Sequence, residues 1–91
     1  MSEPISDALP YRIGFFLIPR FNMMALIATL EPLRVANYIT GEKLYDWHFI
    51  SDDGATVYAS NGMPLPSEDY KTVDEKWQAV FMCGSWGSEH Y

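Results

Sequence analysis

The chain has 91 residues, 48% of them hydrophobic and 15% aromatic, which excludes a disordered tail and leaves room for one small domain. Its formal net charge is −6 and its six Lys and Arg residues are dispersed, so these residues carry no basic face for nucleic-acid phosphates. One cysteine excludes an intrachain disulfide, and no apolar run reaches the ~20 residues of a membrane span.

Residues 1–11 are acidic and lack the basic-then-apolar order of a signal peptide, so they read as a disordered lead-in. Residues 12–18, RIGFFLI, form a nearly continuous β-prone run, the pattern of a strand covered on both faces. Pro19 ends it. Asn22 is placed to cap a helix, although Ala25 at the third helical position gives no capping box.

The helix is predicted to run to about Ile39, with Gly41 where a C-terminal cap belongs. Met23, Leu26, Leu30 and Leu33 make one apolar stripe; Met24, Ile27, Ala28 and Val35 make the next. A helix apolar on most of its faces is expected to be covered by more than one neighbour. Within it stands EPLRVAN, residues 31–37. Pro32 has no N–H to donate and disfavours helical angles at Glu31, so a kink or a restart is expected there.

Residues 46–51, DWHFIS, read as a second strand, and Asp52-Asp53-Gly54 as a turn. Residues 56–60 read as a short strand, and Asn61-Gly62 as the turn of a small hairpin. Pro64 and Pro66 confine its second arm to an edge. The polar stretch 67–77 is expected to hold a short helix. Residues 79–83, AVFMC, read as a third buried strand, followed by GSWGS. The order strand, long helix, strand, hairpin, short helix, strand predicts the N-terminal part of a doubly wound parallel α/β sheet.

These motifs carry a resemblance. FLIPRF, EPLRVAN, LYDW, the Asp-Gly turn, ASNG and Cys83-Gly84-Ser85 resemble the N-terminal sensing domain of GlxA-type AraC/XylS transcription regulators over residues 12–85. That domain has the ThiJ/PfpI, or class I glutamine-amidotransferase-like, fold, which is flavodoxin-like. The resemblance implies an incomplete domain over 12–91. The later strands and the helix-turn-helix pair that engages DNA in such regulators are expected to lie outside the sequence. The chain departs from the family at Ser85, where the pattern has a second glycine.

The resemblance also bears on chemistry. In catalytic relatives an acid stands on the first helix about two turns before the E-P-L-R position, which here is Ala25, and the nucleophile sits on an elbow after a later strand. The chain is therefore expected not to be an enzyme; a ThiJ/PfpI-class hydrolase or glyoxalase fragment is the alternative. Glu31, Pro32, Arg34 and Asn37 read as a structural signature, with Glu31 tied to backbone or to Arg34, three residues on. Cys83 reads as a core thiol. Gly84 and Ser85 match the loop that supplies oxyanion-type N–H groups in the enzymes, and Trp86 follows the strand edge where ligands of open α/β sheets sit. These three are the candidate ligand-binding residues, with Trp86 offering a ring face to a quaternary ammonium. Tyr45, Trp47 and Trp77 read as sheet packing. His48 and His90 are far apart and no metal spacing appears, so neither metal nor cofactor is expected.

The function expected is thus effector sensing by part of an AraC-type regulator in the cytoplasm, responsive to a small metabolite of the glycine betaine or carnitine kind. DNA would be reached only through a further domain and no membrane would be involved. A short parallel sheet with open edges is also expected to self-associate.

Overall fold

The computed structural model describes residues 10–73 and 76–84. Its elements are β1 (Tyr11–Leu17), α1 (Met23–Thr40), β2 (Tyr45–Ser51), β3 (Val57–Tyr58), β4 (Pro64–Leu65), β5 (Glu68–Asp69) and β6 (Ala79–Cys83). Four strands form one sheet in the order β5-β2-β1-β6, every pairing parallel. The parallel α/β character expected from the apolar strand runs is present, with β1 between β2 and β6.

Period-two alternation sends Ile13, Phe15 and Leu17 to one face of β1. There they meet Leu26 of α1, Phe21, Cys83, and Val57 and Ala59 from the hairpin region, and Phe15, Leu17 and Phe21 are fully buried. Phe15 stacks on Phe81 of β6 at 5.5 Å and lies 5.9 Å from Phe49 of β2, so one ring joins three strands. Burying each of these side chains contributes about 1.5–3 kcal/mol.

Both ends of α1 are fixed by side chains or backbone that the sequence supplies. Asn22 Oδ1 accepts from the Ala25 N–H at 3.0 Å. At the other end Gly41 takes the left-handed conformation, φ 71°, and its N–H bonds the Asn37 carbonyl. Asn37 then reaches forward. Its Nδ2 donates to the Tyr45 carbonyl at 2.9 Å, and its Oδ1 accepts from the Leu44 and Tyr45 N–H groups at 2.9 and 3.0 Å. One amide side chain thereby ties the helix end to the start of β2.

Four expectations change. β6, expected to be buried, is an edge strand of the described sheet and leaves Val80, Phe81 and Met82 exposed. The helix does not restart at Pro32: it is assigned without a break over 18 residues, with Glu31 inside it. Pro32 and Ala28, whose carbonyl loses its partner, are both exposed, so water can take the freed carbonyl and the ring meets no neighbour. The second apolar stripe of α1 is left uncovered: Met24 is 80% exposed, Ile27 41% and Val35 38%, because among the described residues the helix has the sheet on one side and nothing on the other. No helix forms among the described residues of 67–77. Glu68–Asp69 instead pairs with the end of β2. Asp69 then caps its own turn, its Oδ1 accepting from the Lys71 N–H at 2.9 Å and its carbonyl from Thr72 at 3.0 Å.

Tyr70 and Trp77 help cover the second sheet face. Tyr70 packs edge-on against Phe16 at 5.6 Å and Trp77 edge-on against His48 at 5.5 Å. Gly14 makes room for Trp77: a Cβ there would meet Trp77 ring carbons at 3.4 Å and Ile50 Cδ1 at 3.2 Å. The hairpin is present but short, with Val57 opposite Leu65 and Tyr58 opposite Pro64. Its turn is closed by the Gly62 N–H on the Ala59 carbonyl and by Asn61 Oδ1 on the Met63 N–H.

Candidate functional site

The strand order reverses at β1. From β1 the chain passes through α1 to β2 on one side, and it returns to β6 on the other. In open α/β sheets the crevice beyond the carboxyl ends of the strands at such a point takes the ligand. Here backbone bonds build that crevice: Ile18 N–H to the Cys83 carbonyl at 3.0 Å, then Asn22 N–H to the Gly84 carbonyl at 3.0 Å. The end of β6 is thus sewn to the helix N-cap.

The crevice has a volume of about 190 Å³ and is lined by α1 residues Asn22, Ala25, Leu26 and Thr29 on one wall and by Phe81, Met82, Cys83 and Gly84 on the other. Ala25 presents a methyl group where the catalytic relatives implied by the resemblance have an acid. The thiol is buried, and burial pushes the Cys83 pKa up to about 11. At neutral pH it is a protonated core residue rather than a nucleophile. The crevice can hold a molecule, but none of its described lining residues is equipped to give or take a proton.

Of the candidate ligand residues, Gly84 lies in this crevice, whereas Ser85 and Trp86 lie outside the described residues, as does His90. The signature residues are elsewhere. Glu31 stands two turns or so beyond Ala25, about 9 Å along the axis. On that surface Arg34 Nε and Nη2 donate to Glu31 Oε1 at 2.9 and 2.6 Å, and the hydrogen bond holds the Glu31 carboxyl below its ordinary pKa. Tyr45 and Trp47 pack against the core and Trp77 covers the second face, so these rings are not gathered around one cavity.

Polar groups do gather on the second face. Asp46 pairs with Arg12 at 3.3 Å, Lys43 at 3.2 Å and His48 at 3.2 Å, and His48 Nδ1 lies 3.7 Å from Glu68. Burial pushes the Asp46 pKa up, but the hydrogen bonds from His48 and Lys43 outweigh it and hold the carboxyl below its ordinary range. No group of three or more His, Cys, Asp or Glu among the described residues could hold a metal ion. No described helix is long and apolar enough to cross a membrane.

A second, larger cavity of about 470 Å³ opens beyond the carboxyl ends of β1 and β2, lined by Arg20, Ser51, Asp52, Tyr58 and Lys71 among others. The sequence reading missed it. The signals were Pro19-Arg20 directly after β1 and Asp52-Asp53 directly after β2, two charged loops that the parallel register brings side by side.

No protein-family model matches the chain. Similar sequences are the HTH-type transcriptional regulator GbdR of Pseudomonas aeruginosa, 36% identical over 84 residues, which are 92% of this chain and 23% of that protein. CdhR of the same species is 48% identical over 68 residues, 75% of this chain and 20% of CdhR. GlxA of Rhizobium meliloti is 36% identical over 72 residues, 79% of this chain and 22% of GlxA. A crystal structure of an AraC family transcriptional regulator from Pseudomonas putida superposes with a TM-score of 0.74 at 23% identity, covering 84% of this chain and 41% of that one, which supports the fold. A putative regulator from Vibrio parahaemolyticus gives 0.66 at 17% identity, over 85% of this chain and 40% of that one. The chain spans 20–23% of the length of the relatives it matches. Those relatives are transcriptional regulators, not enzymes, in keeping with Ala25 and the buried thiol. Over the residues that align, the chain is similar to the AraC-type HTH transcription regulators GbdR, CdhR and GlxA.

Proposed function

We propose that these residues are part of a non-catalytic effector-sensing domain in a cytoplasmic AraC-type regulator, and that the crevice between α1 and β6 seats the effector. The observation that carries this reading is the crevice itself. It lies where the strand order reverses, is stitched to the helix N-cap through Gly84, and offers methyl, thioether and ring surface without a reactive group. The half-open Phe81 ring in its wall suits a quaternary ammonium of the glycine betaine or carnitine kind, since cations sit favourably on aromatic faces. Ser85 and Trp86 follow Gly84 directly and complete the proposed ligand set. DNA contact is assigned to a helix-turn-helix domain outside these residues, because the dispersed cations here provide no phosphate-binding face.

The test is to follow the reading frame past codon 91, express the whole product and measure operator binding with and without glycine betaine or carnitine. An effector-dependent change in DNA affinity that Ala25→Leu abolishes supports the reading. A frame that closes without a DNA-binding domain, or a regulator indifferent to filling the crevice, overturns it.

A further inference from the structure

We infer that Asn61, in the exposed turn of the β3–β4 hairpin, is a site of spontaneous covalent modification: when the hairpin opens, its side-chain amide is attacked by the Gly62 backbone nitrogen, and the turn is rebuilt around an isoaspartyl linkage. The inference rests on the hairpin and is independent of the regulator reading.

The chain has one Asn-Gly pair, Asn61-Gly62, and one Asp-Gly pair, Asp53-Gly54. Both can close the same five-membered ring, because a glycine leaves the attacking nitrogen unshielded by a side chain. Their surroundings are opposite. Asn61 and Gly62 are exposed, and a Cβ built on Gly62 would meet nothing within 4 Å. The loop 60–62 ends on Gly62 in the left-handed conformation, φ 88°, as three-residue hairpin loops do. Two hydrogen bonds keep the reacting groups apart: the Gly62 N–H donates to the Ala59 carbonyl at 2.9 Å, and Asn61 Oδ1 accepts from the Met63 N–H at 3.0 Å. The strands that carry this loop have two residues each. So short a hairpin opens locally, without the rest of the fold.

At Gly54 the same chemistry is blocked. The Gly54 N–H donates at 3.0 Å to the hydroxyl of Ser51, which is buried and also bonded to Ser67. A Cβ built on Gly54 would lie 2.7 Å from the Asp69 backbone nitrogen, so the turn is pressed against β5 and has no room to rearrange. Freeing it requires β5 to leave the edge of β2.

The step balances with water and hydroxide alone. Hydroxide takes the Gly62 amide proton, and the nitrogen bonds to Asn61 Cγ. The bond from Cγ to the side-chain nitrogen breaks, and ammonia leaves with a proton from water. Water then opens the cyclic imide. Cleavage at Cγ gives aspartate; cleavage at the former backbone carbonyl gives isoaspartate, with one extra methylene in the main chain and a free carboxylate. That methylene falls next to Ser60, whose N–H holds the hairpin to the Phe21 carbonyl at 2.8 Å, and to Ala59 in the core. The modified turn is therefore expected to loosen the hairpin from the β1–α1 junction.

The test is to incubate the chain at neutral pH, with and without urea, and to follow the peptides holding residues 61 and 53 by mass spectrometry and by labelling with an isoaspartate methyltransferase. We expect isoaspartate to accumulate at Asn61 in the folded chain, faster as pH rises, at a rate about thirtyfold below that in urea, the weight of two exposed hydrogen bonds. Slowing by folding at Asp53 is expected to exceed that at Asn61 by about tenfold or more, because its release needs a larger opening. Asn61→Ser, which keeps a side-chain oxygen for the Met63 N–H and removes the amide, is expected to abolish the signal from that peptide and leave the fold intact. An Asn61 that stays unmodified in the folded chain while it reacts in urea, equal slowing at Asn61 and Asp53, or methyl labelling of the folded chain that persists in Asn61→Ser would overturn the inference.

Discussion

The two long sides of α1 are nearly equal in composition and opposite in fate. Met23, Leu26, Leu30 and Leu33 lie against the sheet, and Leu26 is buried to 2% exposure. Met24, Ile27, Val35 and Ile39, one step around the same helix, stand in solvent. The difference is not written in hydrophobicity, which the sides share. It comes from which described elements pack against each side, and what the bare side teaches is that apolar content alone does not say where a core stops.

Breaking the inner side should cost most. Phe15→Ala removes the ring that joins β1, β2 and β6 and is expected to destabilise the chain by about 3–5 kcal/mol in urea titration, enough to unfold a domain of this size. Asn37→Ala comes next. It leaves two N–H groups and a carbonyl at the α1–β2 junction without their partner, for a loss of about 1–3 kcal/mol in the same titration. On the outer side, Met24→Lys with Ile39→Lys should change monomer stability by less than about 0.5 kcal/mol each. Self-association through this face should fall sharply in sedimentation velocity; equal association in the double variant would place the contact elsewhere, with the β6 edge, unpaired among the described residues, next in line. The smallest effect concerns acid. The Asp46 carboxyl is held below its ordinary pKa, so its contribution is present at neutral pH and is lost as pH falls through the carboxylate range. Asp46→Asn should therefore flatten the acid limb of a stability–pH curve while altering the alkaline limb little.

Much of this architecture can be read directly from residue order. Alternation and β-branched or aromatic content locate β1, β2 and β6, Asn22 and Gly41 bracket α1 to within a residue, and Asn61-Gly62 marks the hairpin. What escaped was tertiary. Pro32 is a breaker on local grounds, yet here its ring and the freed Ala28 carbonyl face water and the helix runs on. The acids at 68 and 69 suggest a helix start, but pairing with the open edge of β2 gives them a strand. The crevice at Gly84 was legible through motif resemblance, since nothing local distinguishes it. The cavity at Arg20 was not, because its walls come from loops more than 30 residues apart in the sequence that meet through parallel register alone.

The close approach of Trp77 to Gly14 has a spectroscopic consequence. Its seat is made from Gly14 of β1 and His48 and Ile50 of β2, so the indole finds its environment only after those strands are in register. Trp47 packs with the residues on the opposite, helix-covered face. With Trp86 replaced by phenylalanine, the chain carries two tryptophans, Trp47 and Trp77, one on each face of the sheet. Emission from Trp77 would time strand pairing, and emission from Trp47 would time the docking of α1.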